Sequence, residues 1–385
     1  MSEANPTSIL FCITVYNGEE FIRRTLESAT RLSHPGVQVD LLVLDDASPA
    51  PGFSERLEEM CAELNVGYYR TPRNLGIPRN VSLGMLTALR EGYDHVVISN
   101  SDVIYPANLI GQLLACAEEE GVGSVTAWSN NVSVYSLPND DPDEHLAAQA
   151  RVDWVSGLLA DHYGAAVMDI PAGISFCILV PTRVVADVGV MDPVFGRGYC
   201  EETDWSLRSL AAGYRIALAP GTFVYHQGRG SNLAAGLVAE GQTTVPANEA
   251  IIDMRYPLFR TQVDAFVNSG ILDKAHRDAA ERIVQYSGRA LGYRVDIGWL
   301  PPRSGGEQLV AVSVAPDGAD EIRAEFMGFR VDLPLEGPDV VASLTEFFGR
   351  EPDTINVRDS GKTAAGLPET MQDRTQRIGN YPARV

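Results

Sequence analysis

SILFCITVYNGEEFIRRTLESATRLSHPGVQVDLLVLDDAS, residues 8–48, holds two apolar runs with one amphipathic segment between them. Ser8–Val15 is apolar and bounded by polar residues, which reads as a buried strand. Tyr16-Asn17-Gly18 turns the chain. From Glu19 to Leu32, Phe21, Ile22, Leu26 and Ala29 recur at helical spacing, and acids open the segment. Val37–Leu44 is a second buried strand that closes on Asp45-Asp46-Ala47-Ser48. Two buried strands joined through a helix make a parallel pair.

The pattern continues beyond this unit. Helices are expected over 53–64, 78–91 and 106–120, and strands over 66–70, 95–99 and 124–128. Such alternation predicts an α/β fold, a mostly parallel central sheet flanked by helices. Ligands of these sheets bind beyond the carboxyl ends of the strands. Thr14 to Asn17, Asp45-Asp46 and Asn100-Ser101-Asp102 all fall at such ends, which predicts one shared site.

The segment 129–153 is polar and acidic and reads as a long loop. Helix follows over 201–212, closed by Gly213, then two short strands, 215–219 and 222–225, around Pro220-Gly221. The pattern changes after His226. Residues 227–247 read as a mobile loop, and 248–267 and 272–286 as two helices. The runs 293–299, 309–314 and 322–331 predict a small antiparallel sheet, followed by a helix over 338–348. The expected organisation is a domain over 1–231, a loop and helical extension over 232–290, a small α+β appendage over 291–349, and an extended or disordered tail over 350–385.

The net charge of −21 excludes nucleic acid as the main partner, because phosphate binding needs a basic surface. A nucleoside diphosphate would meet the same repulsion and needs a local cation, either a metal or placed arginines. The five cysteines form no C-x-x-C pair and read as free thiols of a reducing compartment. The polar start MSEANPTS is no signal peptide, and no apolar run approaches the roughly 20 residues of a membrane span. A soluble cytoplasmic protein is expected.

Chemistry concentrates in two places. Asp102 follows a buried strand, where a carboxylate can hold Mg²⁺ or Mn²⁺; an Asn-Ser-Asp turn is the plain alternative. Glu201, Glu202 and Asp204 are three carboxylates in four positions. Their repulsion and partial burial would raise one pKa and create a base, although a helix start favours acids anyway. Arg208, four residues after Asp204, suits an intrahelical pair. Trp205 could stack on a sugar or pack in the core. His226 ends an apolar strand, where its imidazole can ligate a metal or serve structure. The loop around Arg73, Asn74 and Arg79 can present cations and amides to a phosphate or base.

Six motifs in order resemble family 2 glycosyltransferases of the GT-A fold, over roughly Ser8 to Ser231. They are ITVYN at 13–17, LDDAS at 44–48, RNLGIPRN at 73–80, NSDV at 100–103, EETDWSLR at 201–208 and VYH at 224–226. The resemblance implies a hexosyltransferase-like enzyme of carbohydrate biosynthesis that uses a nucleotide-sugar donor, with UDP or dTDP the natural nucleotides, and an acceptor hydroxyl on a carbohydrate or other molecule. It implies Thr14, Tyr16, Asn17, Asp45, Asp46, Asn74, Arg79 and Ser101 at the nucleotide. Asp102 and His226 become ligands of Mn²⁺ or Mg²⁺, and Glu202 the base, supported by Glu201, Asp204 and Trp205. Arg229 becomes a diphosphate contact in a closing loop. Inversion at the anomeric carbon is expected. Two positions depart from the family pattern: Asn100 replaces the first metal-motif acid, and Glu202 stands where Asp is more usual.

Three other readings compete. A nucleotidyltransferase usually opens with a Gly-rich loop carrying Arg and Lys, which TVYNGEEF lacks. A dehydrogenase lacks its G-x-G-x-x-G. A non-catalytic nucleotide-sugar or carbohydrate binder is the third, kept open by Asn100. The segment 129–170 and the chain beyond Ile251 are expected to shape the acceptor site or a homo-oligomer contact.

Overall fold

The computed structural model describes residues 6–132, 134–138, 146–228, 246–297, 309–314, 322–333, 340–358 and 375–378. The chain divides into two compact units, one of residues 1–142 and 147–272, the other of 143–146 and 273–385.

The first unit is built on a sheet of nine strands. Its strands are β1 (Thr7–Val15), β2 (Val37–Asp45), β3 (Gly67–Arg70), β4 (His95–Asn100), β5 (Val103–Ile104), β6 (Val122–Ser129), β7 (Met168–Asp169), β8 (Cys177–Pro181) and β9 (Arg215–His226). The order is β3-β2-β1-β4-β8-β6-β9-β5, with β7 on β9. The long ladders β1–β2, β1–β4 and β6–β9 are parallel, while β8 runs antiparallel between β4 and β6. The fold is the mixed α/β arrangement expected, with one central strand reversed.

Helices cover the sheet: α1 (Glu19–Ala29), α2 (Phe53–Glu63), α3 (Ile77–Glu91), α4 (Leu109–Ala117), α5 (Gln149–Tyr163), α6 (Thr182–Val188) and α7 (Glu201–Ala211). Apolar residues on each side of the sheet form separate cores. Phe11, Ile13, Ile22, Leu26, Leu109 and Leu113 belong to one, and Leu10, Cys12, Val81, Met85, Ile98 and Trp205 to the other. Alternate residues of β1 therefore enter opposite layers, as a two-residue side-chain period requires.

Several elements differ from their sequence reading. α5 starts inside the expected loop 129–153; Val152, Val155, Leu158 and Leu159 are its buried apolar positions. The two strands expected around Pro220-Gly221 are one strand, β9. Ala219 faces Ala127 and Phe223 faces Trp128, so residues 220–222 bulge from the β6 ladder without ending it. The expected helix 248–267 is two, α8 (Pro246–Arg255) and α9 (Phe259–Val267). Pro257 lies between them, lacks an N–H, and disfavours helical backbone in the residue before it.

The second unit contains α10 (Ile271–Leu291), β10 (Tyr293–Ile297), β11 (Val310–Val314), β12 (Ile322–Phe326), β13 (Phe329–Leu333), α11 (Val340–Phe348), β14 (Thr354–Arg358) and β15 (Thr375–Ile378). Its sheet order is β13-β12-β11-β10-β14-β15. The expected antiparallel sheet is mixed: β10 is parallel to both β11 and β14. The single run expected over 322–331 is a hairpin turned at Met327-Gly328, both in the left-handed region. Within 350–385, the described residues form β14 and β15, paired in parallel. The expected mobile loop lies largely outside the described residues, as does Arg229.

Candidate active site

Parallel pairing brings the motif strands to one edge. Thr14 on β1 is the register partner of Asn100 on β4, and Val15 that of Asp45 on β2. The edge borders a cavity of about 470 Å³. Thr14, Tyr16, Asp46, Asn74, Asn100, Ser101, Asp102, Glu201, Glu202 and His226 all line it. Sequence-distant residues are thus gathered into one site.

His226 is placed by both neighbours of the end of β9. β5 pairs with it antiparallel, setting Val103 opposite His226. The Asn130 side chain brackets its backbone, accepting from His226 N at 2.7 Å and donating to His226 O at 3.1 Å. The ring stacks on Phe176 with centroids 5.5 Å apart. Nδ1 lies 3.0 Å from the Asn131 carbonyl, so a neutral ring carries its proton there and leaves a lone pair on Nε2. Nε2 lies 3.3 Å from Asp102 Oδ1 and 3.2 Å from Asn100 Nδ2.

With the ring neutral, Asp102 and His226 present a carboxylate oxygen and an imidazole lone pair 3.3 Å apart. Two adjacent ligands of an octahedral cation at about 2.1 Å bond length stand about 3 Å apart. The donor set and its spacing fit Mg²⁺ or Mn²⁺. Among the described residues no cluster of three or more His, Cys, Asp or Glu is arranged for a metal. Burial pulls the His226 pKa down, but the Asp102 charge and hydrogen bond more than offset it, and the net shift is upward. Burial raises that of Asp102, and His226 outweighs it, so the carboxyl sits below its ordinary range.

The acidic pair opens α7. Glu201 is buried and Glu202 half-buried, and one carboxylate oxygen of each is buried without a hydrogen-bond partner. Burial, then the Glu202 charge, raises the Glu201 pKa well above the ordinary range. Burial also raises that of Glu202, while its hydrogen bond with Glu201 lowers it in part. Both carboxyls thus hold on to protons to higher pH than free glutamates do. Just before it, Tyr199 and Cys200 have φ of 71° and 73°. Left-handed backbone at non-glycine residues costs about 1–2 kcal/mol each. Burial pushes the Cys200 thiol up to about 12, so at neutral pH it is no nucleophile.

Five sequence candidates stand outside the cavity lining. Asp45 is fully buried and accepts from Ser48, Ser54 and Tyr68, tying down the loop after β2. Asn17 joins that loop through Ser48 and Ala50. Arg79 projects to solvent from α3. Asp204 is fully buried and binds Arg208, Arg255 and Tyr256. Trp205 packs in the core with Nε1 on the Gly189 carbonyl. Asp46 lines the cavity, and its carboxylate also accepts from the Leu75 and Gly76 amides. Gly76 lets this loop touch the one before α7: a Cβ there would lie 2.2 Å from the Gly196 carbonyl.

Three lining features escaped the sequence reading. Asn80 donates to Leu44 O, and its Oδ1 is buried without a partner. Its helical position beside Ile77 and Gly84 could have revealed it. Arg197 lines the cavity, and no ion pair among the described residues holds its guanidinium. The third is α9, none of whose residues is buried, though Phe259, Val263 and Phe266 line the cavity at helical spacing.

The family model described as glycosyl transferase family 2 matches residues 10–161. The undecaprenyl-phosphate mannosyltransferase of Micrococcus luteus is 26% identical over 241 residues, 62% of this chain and 92% of that protein. Among solved structures, GalNAc-T7 with UDP, GalNAc and Mn²⁺ is 15% identical at a TM-score of 0.45, covering 58% of this chain and 44% of that one. The mannosyltransferase PcManGT of Pyrobaculum calidifontis, in complex with GDP-Man and Mn²⁺, is 15% identical at a TM-score of 0.43, covering 73% and 74%. The motif order and the sheet edge on which the motifs meet agree with the match over residues 10–161, the stretch in which this chain is similar to glycosyl transferase family 2.

Proposed function

We propose that the protein moves a sugar from a nucleoside-diphosphate sugar to an acceptor hydroxyl, with Glu202 as general base and inversion at the anomeric carbon. The observation that carries this reading is the cavity itself, lined both by Asp102 with His226 and by the Glu201–Glu202 pair.

Thr14, Tyr16, Asp46, Asn74 and Ser101 form the polar end, suited to the nucleotide; Asn80 adds an amide oxygen. Asp102 and His226 would hold Mn²⁺ or Mg²⁺. Bound there, the ion would supply charge neutralisation for the leaving diphosphate. Arg197 supplies a second positive charge in a strongly acidic protein. Glu202 takes the acceptor proton. The acceptor oxygen bonds to the anomeric carbon as the bond from that carbon to the diphosphate oxygen breaks. Burial beside Glu202 disfavours a second negative charge, so the pair meets the acceptor with one carboxyl protonated.

The α9 stripe gives the cavity an apolar wall, which suits an acceptor with an apolar part. The Micrococcus relative, named for an undecaprenyl-phosphate acceptor, supports testing lipid-linked acceptors first.

A panel of UDP-, dTDP- and GDP-sugars, each with and without Mn²⁺, tests the reading through melting temperature and nucleoside diphosphate release. One donor should raise the melting temperature with Mn²⁺ and release its nucleotide faster with an acceptor. Proton NMR of the first-formed product reads the anomer. A panel in which no donor is bound or cleaved removes the proposal.

A further inference from the structure

Asn248 sits near the start of α8 and is 8% exposed. Its Nδ2 points at three backbone carbonyls of one loop: Phe195 at 3.0 Å, Gly198 at 2.7 Å and Tyr199 at 2.9 Å. The loop runs directly into Cys200 and the acidic pair. Tyr199 and Cys200 hold the left-handed conformation described above, and the Cys200 side chain gives α7 no cap. Such backbone persists only where surrounding contacts over-determine it. Asn248 supplies these contacts from another helix.

The far end of α8 makes a second attachment. Arg255 Nη1 lies 2.7 Å from Asp204 Oδ1 and 2.9 Å from Asp192 Oδ2, and Tyr256 donates to Asp204 at 3.0 Å. The first turn of α7 is therefore pinned by α8 both before Glu201 and after Glu202. Asn248 itself does not line the cavity.

We infer that Asn248 is a positioning residue of the transfer reaction: its amide fixes the Phe195–Tyr199 loop and so aims the Glu202 carboxylate into the cavity. An amide suits the task because its two N–H groups can serve several carbonyls at once, whereas a carboxylate of the same size would repel them. The inference rests on the proposed role of Glu202.

Transfer kinetics of the full chain test it, using N248A, N248S, E202Q and the N248A/E202Q double variant. N248A should lower kcat by about tenfold to a hundredfold, as a misplaced catalytic group does. Donor KM should stay within about twofold, since donor binding is made elsewhere. The hydroxyl of N248S keeps one donor and should recover part of kcat; it also carries the comparison should N248A not fold. In the E202Q background, N248A should change the residual rate by less than about twofold, because the two residues act as one unit. A kcat within about twofold of the parent in both Asn248 variants overturns the inference, as does a full additional loss in the double variant. Parental turnover by E202Q removes the base assignment and this inference with it. A dead E202Q beside a fully active N248A removes only the inference.

Discussion

Nε2 of His226 lies 3.3 Å from Oδ1 of Asp102, while the other ring nitrogen is fixed on the Asn131 carbonyl. The imidazole lone pair therefore has one direction available. D102A and H226A should each raise the Mn²⁺ concentration for half-maximal donor turnover by about tenfold or more, about 1.4 kcal/mol. Unchanged Mn²⁺ activation in both variants would show that the pair does not bind the ion. N100D places a further carboxylate beside the same nitrogen and should lower that concentration.

E202Q keeps the shape of the proposed base and removes its basicity. Transfer should fall by about 100- to 10,000-fold, the range of general-base catalysis. Donor binding, read by calorimetry, should stay close to that of the parent.

The acidic pair also makes stability depend on pH. Burial raises both pKa values in the folded chain, Glu201 the more. A carboxyl whose folded pKa is raised binds its proton more tightly in the native state. Its stabilising contribution is complete below the ordinary carboxylate range and is lost as pH rises through the raised values. E201Q removes this loss. Its melting temperature should exceed that of the parent at pH 8, by about 2–4 °C for each kcal/mol relieved, and the difference should shrink toward pH 5. A constant difference across that range would mean that the pair does not titrate there.

Arg197 lines the cavity, and no ion pair among the described residues holds it. R197A should raise donor KM by about tenfold to a hundredfold, matching the roughly 1.5–3 kcal/mol of a charge-assisted hydrogen bond. Acceptor KM should hold. The opposite pattern would place Arg197 at the acceptor.

Phe266 closes the α9 stripe. F266S should raise acceptor KM by about tenfold, equivalent to about 1.4 kcal/mol of lost apolar contact, with donor KM unchanged. The effect should grow with the apolar content of the acceptor, which a series of alkyl-chain acceptors would reveal.

The sheet was legible because buried strands carry continuous apolar runs. β1 and β4 carry such runs, β2 does so from Leu41 to Leu44, and their polar ends mark the site. Asp102, His226 and Glu202 were legible for the same reason, each standing where a strand or helix meets the edge. Asp45 and Asp46 were not separable in sequence. Backbone direction turns one into the core and the other toward the cavity, and adjacent positions on a strand always diverge in this way. Asp204 reads in sequence as a support of Glu202, and its burial could not be foreseen because Arg255 and Tyr256, its partners, lie beyond the family motifs. Asn248 had no local signal at all: its three acceptors are backbone carbonyls, which every residue possesses. α5 was hidden by the acidic character of the segment before it.

The short β5–β9 ladder has one last consequence. Val103 pairs with His226, and Asp102 stands one residue before Val103, so the two proposed metal ligands flank one short ladder. The backbone there is tied further by the Gln227 N–H donating to Asp102 O at 2.9 Å. Calcium needs bonds of about 2.3–2.6 Å and more oxygen ligands than a tight octahedral ion. The frame should therefore discriminate by ionic radius, favouring small divalent ions.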